Sequence, residues 1–149
     1  MRTFTSAEEI TAAVGEPLGS SEWLTIDQAR IDAFADATGD QQWIHVDVER
    51  SANGPFGKTI AHGYLTLSLV VALGHEVFAF DTGRPMINYG MNKVRFPSPV
   101  RVNSRIRAVV SIVGVTSVPA GTQVTMSFVI EIEGEAKPAC VAETVILML

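Results

Sequence analysis

Basic residues are in the minority: 11 Lys and Arg stand against 16 Asp and Glu, a formal charge of −5 at pH 7. A chain of that sign offers no broad positive surface to nucleic-acid phosphates, so no nucleic-acid partner is expected. Cysteine is almost missing. Cys140 stands alone, which excludes an intrachain disulfide and a four-thiolate zinc site. Long apolar runs are also lacking. The longest, Tyr64 to Gly74, is eleven residues and is interrupted by Thr66 and Ser68, well short of the roughly 20 that a bilayer requires. The opening MRTFTSAEEI lacks the basic-then-apolar order of a signal peptide. These absences predict a cytoplasmic chain with no membrane insertion. The glycine-rich phosphate loops GxGxxG and GxxxxGK[ST] are absent as well.

What is present is an ordinary globular mixture, 47% hydrophobic and 18% charged over 149 residues. That length predicts one domain, 1–149, large enough to bury a core without staples. Two capping boxes, Ser6–Glu9 and Thr25–Gln28, predict two early helices. The first should stop at Gly15. The second should carry Ile26, Ala29, Ala33, Phe34 and Ala37 on its apolar stripe and end at Gly39. Residues 40–58 are rich in turn formers (Asp40, Asp47, Asn53, Gly54, Pro55, Gly57) and read as a long loop, a feature that is uncommon and often functional.

From His62 to Phe78 apolar residues fall on almost every face, which predicts a buried helix that something must wrap. The wrapping follows. Residues 86–96, 104–115, 122–133 and 139–148 have strand character, with Pro97, Pro99, Asn103, Pro119, Gly121, Gly134 and Pro138 between them. In the third run Val124, Met126, Phe128, Ile130 and Ile132 alternate with a largely polar set, the mark of one buried face. Helices first and strands after predict an α+β fold with an antiparallel sheet, whose edges call for oligomerisation.

Several residues could carry chemistry. Asp40 and His45 lie five apart in TGDQQWIHVD, after a helix end. A carboxylate and a neutral imidazole near each other can hold and activate one water, yet on spacing alone a turn aspartate and a structural histidine are the better reading, since Asp-x4-His is a weak pattern. His62-Gly63 opens the apolar helix, and the Gly63 amide could serve a developing oxyanion or merely permit close packing. His45, His62 and His75 are 17 and 13 apart, which matches no metal motif, so no metal is expected. Cys140 reads as a small buried hydrophobe. Asn88 and Asn92 sit in a predicted strand where their amides could face a pocket or a turn. Arg84, Lys93, Arg95, Arg101, Arg105 and Arg107 form a late basic group that could receive phosphates or lie on a solvated face.

Together, FADATGDQQWIHVDVERSA (34–52) and TIAHGYLTLSL (59–69) resemble the MaoC-like (R)-specific enoyl-CoA hydratases. The shared pattern is an aromatic residue, Gly-Asp, a histidine five beyond the aspartate, and a His-Gly step opening an apolar helix: here Phe34, Gly39-Asp40, His45 and His62-Gly63. NKVRFPSPV (92–100) extends the likeness.

The resemblance implies a hotdog fold, a sheet wrapped around one long helix, paired into a homodimer. It implies the reversible addition of water to trans-2-enoyl-CoA to give (R)-3-hydroxyacyl-CoA, without a cofactor. Asp40 and His45 would be the catalytic pair, with Gly63 as oxyanion donor, and Trp43, His62, Asn88, Lys93 and Arg95 would meet the acyl-CoA. Both members of the pair are read on a loop, so their replacement should leave folding little affected. This chain has Gln42-Trp43 where the family commonly has Asn-Pro, which bears on loop and acyl-pocket shape. Alternatives on the same fold are an acyl-CoA thioesterase and a non-catalytic acyl-CoA-binding subunit.

Overall fold

The computed structural model describes Met1–Leu149. Its order is β1 (Arg2–Phe4), α1 (Ala7–Ala12), β2 (Pro17–Ser20), β3 (Leu24–Thr25), α2 (Gln28–Thr38), α3 (Trp43–Val46), α4 (Val48–Ala52), α5 (Gly63–Ser68), α6 (Val70–Val77), β4 (Phe78–Phe80), β5 (Met86–Arg95), β6 (Arg105–Val118), β7 (Gly121–Ile132) and β8 (Cys140–Met148). The main sheet runs β2-β6-β7-β8-β5, all antiparallel, with β3 also on β6; β1 and β4 form a separate parallel pair. This is the α+β architecture the pattern predicts.

The alternation along β7 does what its period requires. Val124, Met126, Phe128, Ile130 and Ile132 are buried, and so are Ile106, Ala108, Val110 and Ile112 on β6. Against this inner face lie α5, on β8, and α6, on β6. Cys140 is fully buried in β8, and burial pushes its thiol up to about 11, as expected of a small core residue.

Several expectations need correction. The central helix comes as two segments joined at Leu69. The chain keeps its course there, because the Leu69 amide donates to Leu65 O (3.1 Å) and the Leu73 amide to Leu69 O (3.0 Å). Nor is this helix buried all round, since Tyr64 is 68% and Val71 46% exposed. The sheet covers one side only.

The first helix ends at Ala12, before Gly15. The second starts later than Thr25, which pairs with Arg105 as part of β3. Asp27 caps it instead, its carboxylate accepting from the Arg30 amide at 2.9 Å. Ile26 lies outside the helix and does not anchor its stripe, and it is Ile31, Phe34 and Ala35 that face inward while Ala29, Ala33 and Ala37 face solvent. The stretch 40–58, read as loop, contains α3 and α4, the latter capped by Asp47.

Candidate active site

Gly39 ends α2 in the left-handed conformation (φ 78°), which throws the chain away from the helix and leaves Asp40 exposed. The Asp40 carboxylate accepts only a long bond from the Gln42 amide, 3.4 Å, and has no cationic partner. Three residues on, α3 begins, and it turns His45 inward until it is 6% exposed. Its Nδ1 lies 2.7 Å from the carbonyl of Ile60. A carbonyl can only accept, so Nδ1 carries the proton and Nε2 keeps its lone pair.

The Ile60 carbonyl is held where it is by a short strap. Ile60 N–H donates to Ile44 O (3.0 Å), Ala61 N–H to Val100 O (2.8 Å) and Val102 N–H to Thr59 O (2.9 Å). Gln28, at the head of α2, completes the frame by donating to His45 O at 2.8 Å and accepting from the Thr59 hydroxyl.

His62 precedes α5 but does not cap it. Its Nε2–H reaches back to the main-chain carbonyl of Asp40 at 2.9 Å, and its ring stacks on His45 with centroids 3.8 Å apart and planes 25° from parallel. Phe34 lies on it at 5.0 Å. One carboxylate oxygen of Asp40 and one nitrogen of each histidine thus lie within 4.8 Å of one another. The same three side chains are a donor set that could hold a metal ion, which the sequence spacings of the histidines did not suggest. A water hydrogen-bonded at about 2.8 Å to each side fits such a gap.

Burial holds the His45 imidazole below its ordinary value, 6.5. The Ile60 hydrogen bond works against that, the neighbouring His62 adds to it, and the Asp40 charge opposes it. His45 is therefore a neutral base near pH 7.

Gly63 opens α5, and its amide is among those with no acceptor inside the helix. A side chain here would meet the Phe96 ring at 3.3 Å, so the glycine lets that ring close over the helix start. Trp43 begins α3 and is covered by the Arg50 guanidinium at 4.2 Å.

The remaining candidates lie apart. Asn88 lines a mainly apolar cavity of about 720 Å³ between α5–α6 and β5, which does not include Asp40, His45 or Gly63. Lys93 and Arg95 are exposed on β5. The late basic residues do not form one patch. Arg105 and Arg107 pair with Glu133 and Glu131 (3.0 and 2.7 Å) beside Trp23, Arg101 with Glu135 (3.6 Å), and Arg84 turns to the carbonyls of Met148 and Leu149.

What spacing did not reveal is the histidine stack, the Ile60 carbonyl and the Phe96 cover. All three are made by residues brought together from distant parts of the chain.

Comparison with known proteins agrees on one family. The family described as "MaoC like domain" matches residues 9–133. A protein named 3-hydroxyacyl-thioester dehydratase Z, from Mycobacterium tuberculosis, is 56% identical over 147 residues, spanning 98% of this chain and 97% of the relative. Among solved structures, a monoamine oxidase regulatory protein from Archaeoglobus superposes with a TM-score of 0.81 at 26% identity, over 99% of this chain and 95% of that one. An (R)-hydratase from A. caviae gives 0.73 at 24% identity over 91% and 96%, a likeness of fold.

Proposed function

The chain belongs to the MaoC-like dehydratase family, and from that premise we propose that it is a hydro-lyase interconverting trans-2-enoyl-CoA and (R)-3-hydroxyacyl-CoA. The observation that carries the proposal is the buried, neutral His45, its Nε2 free, with the Asp40 carboxylate within water-bridging reach. In the hydration direction Asp40 orients the water and Nε2 of His45 takes a proton from it as the oxygen bonds to the β-carbon. Electrons move through the conjugated system onto the thioester oxygen, where the Gly63 amide stabilises the charge more in the transition state than in the ground state. The α-carbon then takes a proton from the Asp40–His45 pair. No cofactor enters the balance.

Leu67 and Ser68, one turn beyond Gly63, begin the apolar cavity and offer an acyl tail a place to lie. A homodimer and a cytoplasmic setting are part of the same reading. No helix here is long and apolar enough to cross a membrane. Ile87, Tyr89 and Met91 are exposed on β5, an edge strand of the sheet, where a second copy would cover them.

The test is to incubate purified protein with a short trans-2-enoyl-CoA, following conjugated-thioester absorbance and free thiol together. Absorbance loss without thiol release, giving the (R)-alcohol on chiral analysis, is the expected result. Thiol release would make the protein a thioesterase. Loss of neither signal across acyl lengths would leave a binding role and overturn the proposal.

A further inference from the structure

We propose that His62 is a positioning residue that ties Asp40 and His45 into one unit, its Nε2–H holding the main chain of Asp40 and its ring face holding the imidazole of His45. This rests on reading Asp40 and His45 as the hydrating pair.

Asp40 has little else to hold it. It is exposed, follows a left-handed glycine, and its other hydrogen bonds are turn-internal contacts of 3.4 Å to Thr38 and Gln42. The bond from His62, at 2.9 Å across 22 residues, is what fixes it to the rest of the fold. His45 is fixed at one edge by Ile60 O, a contact that leaves the ring free to tilt about the Nδ1–H axis. The His62 face at 3.8 Å removes that freedom. His62 is itself fixed by Phe34 on α2, so the stack runs from α2 through His62 to α3.

The histidine does not serve its own helix. Ser, Thr, Asp or Asn there would accept from the first amides, and His62 makes no such bond. Because Nε2 must carry the proton for Asp40 O, Nδ1 is a bare acceptor, and it is buried without a partner on a residue only 2% exposed. An orphaned buried acceptor is uncommon and signals a residue kept for something other than stability. The groups facing His45 are few: Asp40 and His62 can carry charge, while Gln28 and the Ile60 carbonyl are neutral.

His62→Phe keeps the aromatic face and deletes the donor, while His62→Gln keeps an N–H and deletes the face. Each should lower kcat for an enoyl thioester by about 10- to 100-fold with KM nearly unchanged, as for displaced catalytic groups. In the same samples, NMR titration of the His45 ring should move to higher pH, since a neighbour able to carry positive charge is gone. Wild-type kcat with an unmoved His45 titration in both folded variants overturns the proposal, and so does global unfolding of both, which would make His62 a core residue. If the wild-type protein hydrates no enoyl thioester, the functional reading fails separately. The His45 titration still decides whether His62 governs that imidazole.

Discussion

Asp40 and His45 share one proposed reaction but have unlike surroundings, so removing each should separate catalysis from folding. In His45→Ala the Ile60 carbonyl loses its 2.7 Å donor inside the protein, an orphaning that costs about 1–3 kcal/mol. The His62 stack is lost too, which adds about 0.5–1.5 kcal/mol. The sum is about 1.5–4.5 kcal/mol, and at about 2–4 °C per kcal/mol for a domain of this size the melting temperature should fall by about 3–18 °C. The premise that His45 sits on a loop is the part the structure corrects, since α3 buries it, and a cost to folding is the expected result.

His45→Asn places an amide nitrogen near the Nδ1 position, so it should keep the Ile60 bond and recover roughly half of that loss. It still has no base. Asp40→Asn should melt within about 0.5 kcal/mol of wild type, since the side chain is exposed and its one contact survives the change. All three should lose about 10²–10⁴ in turnover, the range for lost acid–base help. Enoyl-thioester turnover and thermal melts on the same preparations give both readouts. His45→Ala melting with wild type would refute the burial argument. Turnover within ten-fold of wild type in His45→Asn or Asp40→Asn would refute the assignment of the pair.

Stability should also depend on pH through His45. Its folded value is depressed, so the unfolded chain binds the proton more readily, and the contribution is complete above about 6.5 and lost as pH falls through the folded value. Urea titrations between pH 5 and 8 should show this slope in wild type and less of it in His45→Asn. Gly121→Ala should destabilise by about 3 kcal/mol: φ is +148° and a Cβ would lie 2.0 Å from the Met148 carbonyl oxygen, which neither strand can yield. An ordinary thermal melt would refute it. Cys140 should ignore a thiol reagent at pH 8 until denaturant is added, because burial both hides it and keeps it protonated. Labelling of the native protein at the rate of a free thiol would contradict this.

The long strands were legible because a period of two runs through most of β7 and from Arg105 to Ile112 in β6, and no helix reproduces it. β1, β2 and β4 were not. Each has three or four residues, and each exists only through a partner far along the chain, such as Arg2 opposite Phe78. At the start of α2 two cap candidates stand two residues apart. Cap preference ranks Asp above Thr, and β6 removes Thr25 from the choice by taking it as a strand partner. Asp40 and His45 were singled out by residue type and family pattern. That His45 is buried, which tautomer it holds and what stacks on it follow from contacts 15 and 17 residues away in sequence, which no local spacing records.

The order of strands in the sheet has a consequence for how the protein is made. β5 is synthesised before β6 and β7 but touches neither, and its one neighbour is β8, which begins about 45 residues after β5 ends. At about 5–20 residues per second, β5 leaves the ribosome and waits roughly 2–10 s without its partner, carrying Ile87, Tyr89 and Met91 in the open. β8 lies between β7 and β5 and is the strand that joins them. Shortening the chain by that strand would remove not one edge of the sheet but the link between β5 and all the rest.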